Sequence, residues 1–211
     1  MAIIEGASSG YQTEVDTTHK AVRTSSRPDE ALTWISVGAT SGLVTTLAAG
    51  AAVFSFRNIG SNLIVVRRIT VGFLTTTAFT AAQPIAYQAF FARGFSASDT
   101  GGTAIAITAN QNKMRTSLNT PTNLDMRIST TAALGAGTRT LDTVALGITG
   151  GGSTGLGTGF APQPLFSHDA GDYPLVLANN EGIVIANTIL MGAVGVGNVI
   201  VNIEFAEMTS Y

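Results

Sequence analysis

Residues 172–188 read DYPLVLANNEGIVIANT, and the interpretation of this stretch decides the class of the protein. Two apolar runs, Leu175-Val176-Leu177 and Ile183-Val184-Ile185, flank the polar cluster Asn179-Asn180-Glu181-Gly182. The cluster reads either as an active-site carboxylate, with Glu181 as a general base, or as a tight turn between two strands. A catalytic Glu needs a second acid, a metal or a nucleophile, and the adjacent residues offer none. Asn and Gly tolerate the positive φ that tight turns demand, so the turn is the stronger reading, with Glu181 a solvated turn residue.

Outward from this turn, the pattern is β. In NVIVNIEFAEM, Val199, Val201, Ile203 and Phe205 alternate with Asn202 and Glu204. PIAYQAFFAR sets Ile85, Tyr87, Ala89 and Phe91 against Ala86, Gln88 and Phe90, and LIVVRRITVGF assigns Leu63, Val65, Ile69, Val71 and Phe73 to one face, interrupted by Arg67. Aromatic and β-branched residues at period two indicate strands. Further strands are expected at Thr33–Val37, Ala52–Arg57, Thr103–Thr108 and Leu124–Thr130, and at Thr140–Ile148, the most regular of them. Gly147 to Pro164, GITGGGSTGLGTGFAPQP, reads as a low-complexity loop, and the glycine run at 150–159 as a flexible surface connection. No segment carries a helical period over three turns. Many short strands with Gly- and Pro-rich turns predict an all-β, antiparallel sandwich or barrel, the sandwich being the expectation carried forward. It would span residues 33–211, preceded by an extended arm at 1–32.

Composition narrows the function. Only 11% of the 211 residues are charged, with 11 basic and 13 acidic side chains and no cysteine; an ordinary soluble domain has about 25%. Disulfides and thiolate metal sites are excluded. The charge balance argues against a nucleic-acid binder, which needs a basic excess to neutralise phosphates. Three long stretches carry no charge: Ala31 to Phe56, Ile69 to Ala92 and Gly182 to Ile203. Each is long enough to span a bilayer, but all are filled with Gly, Thr, Ser, Asn or Gln, so no membrane association is expected. A surface this poor in charge points to one covered by other subunits. The start of the chain has neither a basic segment nor a long apolar core and is not read as a signal peptide.

Candidate chemistry is sparse. His19 and His168 read as loop histidines, since a two-His zinc site would need convergent carboxylates. Asp169 and Asp172 lack the spacing of a calcium loop. The glycine run lacks the Lys-Ser/Thr ending of a phosphate-binding loop, and no nucleophile elbow occurs. Arg67 and Arg68 sit within a strand, either forming an interface salt bridge or a contact with nucleic acid, or, with Arg67 near the strand end of the core, its guanidinium snorkelling out. No catalytic, metal or cofactor residue is assigned. The first thirty residues hold Glu5, Glu14, Asp16, Lys20, Arg23, Arg27, Asp29 and Glu30 with few apolar residues. They read as an extended arm or a terminus without contacts; on the first reading Glu14, Asp16, Lys20, Arg23 and Arg27 are the candidate partner-binding residues, Arg being suited to bidentate pairing with carboxylates.

Three stretches together, FSASDTGGTAIAITANQNKMRTS (Phe95 to Ser117), DMRISTTAALGAGTRTLD (Asp125 to Asp142) and YPLVLANNEGIVIAN (Tyr173 to Asn187), resemble the small β-rich virion structural proteins of tailed bacteriophages, and GYQTEVDTTHKAVRTSSRP resembles their start. The resemblance implies a β-sandwich of jelly-roll type in an oligomer on the particle, and carries over no catalytic or ligand residue. The expectation is a non-enzymatic capsid decoration, or cement, protein without cofactor. It would be made in the host cytoplasm, form a homotrimer and bind the major capsid protein or other virion proteins. A tail or fibre component with a receptor-binding role is the alternative. A glycan-active enzyme ranks last, because aromatic residues are only 7% of the chain.

Overall fold

The longest ladder of the protein is made by the two strands whose alternation is broadest in the sequence. In the computed structural model, Leu63–Thr77 and Val196–Met208 pair antiparallel from Leu63↔Met208 to Thr77↔Val196. The structure describes residues 34–107, 112–114, 121, 123–168 and 174–209, and the backbone of a short antiparallel pair, β1 (Ile4–Glu5) with β2 (Gln12–Thr13). The chain divides into two units, Met1–Leu32 and Thr33–Tyr211. No helix occurs among the described residues.

In the second unit the strands are β3 (Ile35–Thr40), β4 (Val44–Thr45), β5 (Ala52–Asn58), β6 (Leu63–Thr77), β7 (Gln83–Arg93), β8 (Thr103–Ala104), β9 (Leu124–Ile128), β10 (Thr140–Leu141), β11 (Gly147–Ser153), β12 (Gly159–Ser167), β13 (Leu175–Leu177), β14 (Gly182–Asn187) and β15 (Val196–Met208). One sheet runs β12-β6-β15-β3, with β13 also on β6 and β4 on β15; the other runs β10-β7-β14-β5-β9-β8, with β11 also on β7. Every pairing is antiparallel. With β8 to β10 set aside as an insertion, the sheets read β3-β15-β6-β12 and β5-β14-β7-β11. The chain crosses between them in the order of a jelly roll. The sandwich expected from the sequence is therefore observed.

The core lies between the sheets. Val199, Val201, Ile203 and Phe205 of β15 face Phe54 and Phe56 of β5, Ile85, Tyr87 and Ala89 of β7, and Ile183 and Ile185 of β14. Phe56 and Phe205 meet across the gap with ring centroids 5.1 Å apart. Burial pushes the Tyr87 phenol far above its ordinary pKa.

The face expected for β6 is only half right. Ile69, Val71 and Phe73 point inward, but N-terminal to them it is Ile64 and Val66, not Leu63 and Val65, that join the core. Glu204 pairs with Arg68 and Phe205 with Val66, which leaves Arg67 as the extra residue of a β-bulge. A bulge inserts one residue and shifts the two-residue phase by one. Val65 thereby pairs with Ala206 on the other face.

The expected loop at Gly147 to Pro164 is a second correction. Gly147–Ser153 pairs with β7 residue by residue, from Gly147↔Ala89 to Ser153↔Gln83, and Gly159–Ser167 pairs with β6. Pro162 and Pro164 lie on an outermost strand with register shifts beside them, where missing donors are tolerated. By contrast, the expected strand Thr140–Ile148 is a strand only at Thr140–Leu141 before β11 begins, and of the expected strand Thr103–Thr108 the described residues 103–107 are a strand only at Thr103–Ala104, Thr108 lying outside the described residues.

Glycines in this hairpin differ sharply in what they permit. Gly159 has φ 145°, and a Cβ there would stand 2.0 Å from the Phe73 carbonyl oxygen; Gly152 has open space around it. Gly159→Ala is expected to lower stability by about 2 kcal/mol or more, and Gly152→Ala to leave it unchanged or raise it by up to about 1 kcal/mol. Urea titrations of the two variants check the pair; equal tolerance would contradict the hairpin.

Candidate functional site

The turn that opened the sequence question is an arch between the sheets. β13 before it pairs with β6 in one sheet, and β14 after it pairs with β5 and β7 in the other. Asn180 supplies the positive φ, at 60°, and the Glu181 amide donates to the Ala178 carbonyl at 3.1 Å. Gly182 is required for another reason: a Cβ there would lie 2.3 Å from the Phe56 carbonyl oxygen.

Glu181 is not merely solvated. Its Oε2 accepts from the Ala178 amide at 2.9 Å and its Oε1 accepts from Arg93 at 2.9 Å. Arg93 also reaches Asp142 at 3.2 Å and lies over the Phe91 ring at 4.1 Å. Both carboxylate oxygens thus hold the arch in place and are committed to structural partners.

Beside the arch, the insertion carrying β8 to β10 is fastened to the outer face of the β5-β14-β7 sheet. Arg57 donates to Asn180 Oδ1 at 2.9 Å, to the Ser96 carbonyl at 2.8 Å and to Ser98 Oγ at 3.0 Å. The Phe95 amide donates to the Asn180 carbonyl at 2.7 Å. The Phe95 ring takes the guanidiniums of Arg57 and Arg139 at 5.7 and 5.5 Å. It packs with Ala52, Ala92, Leu134 and Val184 in a small second core. Arg139 forms a two-pronged pair with Asp99, both contacts at 2.8 Å, and Asp99 Oδ1 also accepts from the Gly137 amide. The side chains of Asp99 and Arg139 are 0% and 6% exposed, so the pair is held out of water with its acceptors filled.

The remaining candidates separate. Arg67, the bulged residue, is exposed, stacks over Trp34 at 5.5 Å and stands 3.8 Å from Glu204. It snorkels from the core edge as one reading anticipated. His168 follows the end of β12 outside any strand, as expected, but is buried, and with Arg67, Arg68, Ser167 and Glu204 it lines a small polar cleft. Glu14, Asp16, Lys20, Arg23 and Arg27 lie outside the described residues, as do His19, Asp169 and Asp172. Among the described residues, no group of three or more His, Cys, Asp or Glu side chains is placed to hold a metal ion, and no helix is long and apolar enough to cross a membrane.

The feature that sequence reading missed is the sorting of charge along the strands. The connections β3–β5, β6–β7, β11–β12 and β14–β15 all emerge at one end of the sandwich. They fall within the charge-free stretches 31–56, 69–92, 143–167 and 182–203. The fourth stretch becomes visible as a hairpin only once 147–164 is seen to be paired. Every described Arg, Lys, Asp and Glu of this unit lies at mid-strand or toward the opposite end, where Arg57, Arg93 and Glu181 stand. Comparison with known protein families, with curated proteins and with solved structures finds no match to this chain.

The two ion pairs of the charged end should respond differently to mutation. Asp99→Ala strands Arg139 without its partner and is expected to cost about 3–5 kcal/mol, whereas Glu181→Gln, at a half-exposed pair, is expected to cost about 1 kcal/mol or less. Denaturant midpoints of the two variants measure the difference, and equal small losses would remove Asp99–Arg139 as the fastening of the insertion.

Proposed function

We propose that the chain is a non-enzymatic structural subunit of a bacteriophage particle, a capsid decoration protein that associates on the head and stabilises it. The observation that carries this reading is the location of the residues behind the resemblance. Phe95 and Asp99 come from the first resembling stretch, Arg139 from the second and Asn180 from the third, and they meet in one fastening around Phe95. These residues are distant in sequence but joined in one network, so the three stretches build a fastening that suits a structural subunit.

Three further features support the proposal. The jelly roll is an architecture that viral capsid proteins share with lectins and cupins, so it is compatible with the reading without deciding it. The carboxylates Glu181, Asp142 and Asp99 are all engaged by arginines, which suits a scaffold better than acid–base chemistry. Large aliphatic side chains remain exposed on a surface short of charge, as expected of a subunit that is covered in its assembly.

In this proposal the arm anchors the subunit to the capsid or to a neighbour. Residues 1–30 are too poor in apolar side chains to fold alone, so their ordering must be offset by contacts to a partner. Removing Met1 to Arg27 is expected to leave the melting of the sandwich nearly unchanged and to abolish incorporation into particles. Arg23→Ala with Arg27→Ala should weaken incorporation in a salt-dependent way, most at low salt and less as rising salt screens the wild-type contacts. Incorporation is read by electron microscopy and gel densitometry of purified particles. Full occupancy by the truncated chain would make the arm passive, and density on the tail instead of the head would favour the fibre alternative.

A further inference from the structure

We infer that the charge-free end of the sandwich is the surface through which copies of this chain associate with one another. The first observation is electrostatic. Four connections converge there and none bears a formal charge, while the opposite end carries the paired arginines and carboxylates. A partner recognised by charge, such as a nucleic acid or an anionic membrane, finds no counter-charge on this end. Its best complement is another uncharged, apolar surface, because no ion then has to be desolvated on contact. The same end of a second copy provides such a surface.

The second observation is that the apolar groups at this end are presented on fixed loops. Leu156, 73% exposed, sits at the tip of the β11–β12 turn. Thr158 Oγ1 accepts from the Thr154 and Gly155 amides at 3.0 Å each, and the Gly157 amide donates to the Thr75 carbonyl at 2.9 Å. Leu190, 65% exposed, and Val194, 59% exposed, belong to the β14–β15 connection. That connection is pinned by the buried side chain of Asn187, which donates to the carbonyls of Leu47, Ala48 and Ile189, by the buried Met191, whose amide donates to the Leu47 carbonyl, and by the Gly192 amide on Gln83 Oε1. Leu43, on the β3–β4 connection, is 51% exposed. An ordered loop loses little conformational entropy on docking, so apolar side chains on it yield more net affinity than on a mobile one.

Leu43, Leu74, Leu156, Ile189, Leu190 and Val194 are all exposed at this end, from 36% at Ile189 to 73% at Leu156. A soluble monomer seldom leaves an apolar patch of more than a few hundred Å² uncovered. A standard interface takes about 800 Å² from each partner, so the Gly, Ala and Thr between these side chains would join the contact.

The test is sedimentation equilibrium of the full chain from micromolar to millimolar concentration, with Leu156→Asp/Leu190→Asp beside Val144→Asp. Val144 is 77% exposed and lies two residues from Asp142 at the charged end, so it controls for a new carboxylate on an exposed aliphatic site. The wild type and Val144→Asp are expected to associate alike. The double variant should weaken association about thirty-fold or more while its thermal melting as a monomer stays within error of wild type. A wild type that remains monomeric throughout, or an association untouched by the double variant but broken by Val144→Asp, overturns the inference. So does a monomeric wild type that floats with phosphatidylcholine vesicles and loses this binding in the double variant, which would assign the end to a bilayer. The inference does not rest on the virion reading. A monomer that still incorporates into particles would remove this surface and leave the structural role, and a self-associating chain missing from particles would do the reverse.

Discussion

The pairing of β6 with β15 is the constraint on which the rest of the sandwich hangs. The ladder joins the long strands along nearly their full length, and every other strand of that sheet is placed by one of the two: β12 and β13 by β6, β3 and β4 by β15. Its register sets which side chains enter the core, because a slip of one residue would turn Val199, Val201, Ile203 and Phe205 outward together. The bulge at Arg67 lets β6 keep pace. Without the extra residue, either Ile64 and Val66 or Ile69, Val71 and Phe73 would face away from Phe205 and its neighbours. The same bulge turns a guanidinium outward onto Trp34, so the one charge that interrupts the apolar pattern never enters the core.

Two buried asparagines extend this order to the ends of the opposite sheet. Asn58 closes β5 at the charged end, its amide donating to the carbonyls of Asn62 and Leu177 and its Oδ1 accepting from Gly60. Asn187 closes β14 at the uncharged end by binding the carbonyls of the β4–β5 connection. A buried amide is costly unless satisfied; here each NH2 ties a loop to a strand end, although the buried Oδ1 of Asn187 has no partner among the described residues. The result is a sandwich whose two ends are both ordered but chemically unlike. One is fastened by arginine–carboxylate pairs, and the other by backbone contacts under an aliphatic surface.

How much of this was legible in the sequence depends on the range of the interaction. β7 and β15 were read with their faces correct, because their alternation is local and unbroken. β6 was read in the wrong phase over its first half, since a bulge is defined by the partner strand and leaves only Arg67-Arg68 as a trace. Gly147 to Pro164 has the composition of a loop, which hides two paired strands. Its glycines instead serve close packing, as where Gly159 lies against the Phe73 carbonyl, and its prolines mark an outermost strand. The arch at Asn180 was legible from turn chemistry, but the partner of Glu181 was not: Arg93 lies 88 residues away, and Asp99 and Arg139 are separated by 40. The uncharged end was half legible. Three of its four stretches stood out for their lack of charge, but only the topology brings them to one place.

The central claim is that the two ends differ in what they meet, the uncharged end being covered by other copies of the chain. Hydrogen exchange of the full chain, followed by mass spectrometry at low and at high protein concentration, tests it directly. The account predicts that concentration slows exchange in segments 41–51, 154–158 and 188–195 and leaves the arch at 178–182 and the insertion at 94–102 unchanged. Protection that rises at the arch and the insertion, with the loops of the uncharged end exchanging as fast as before, would contradict it.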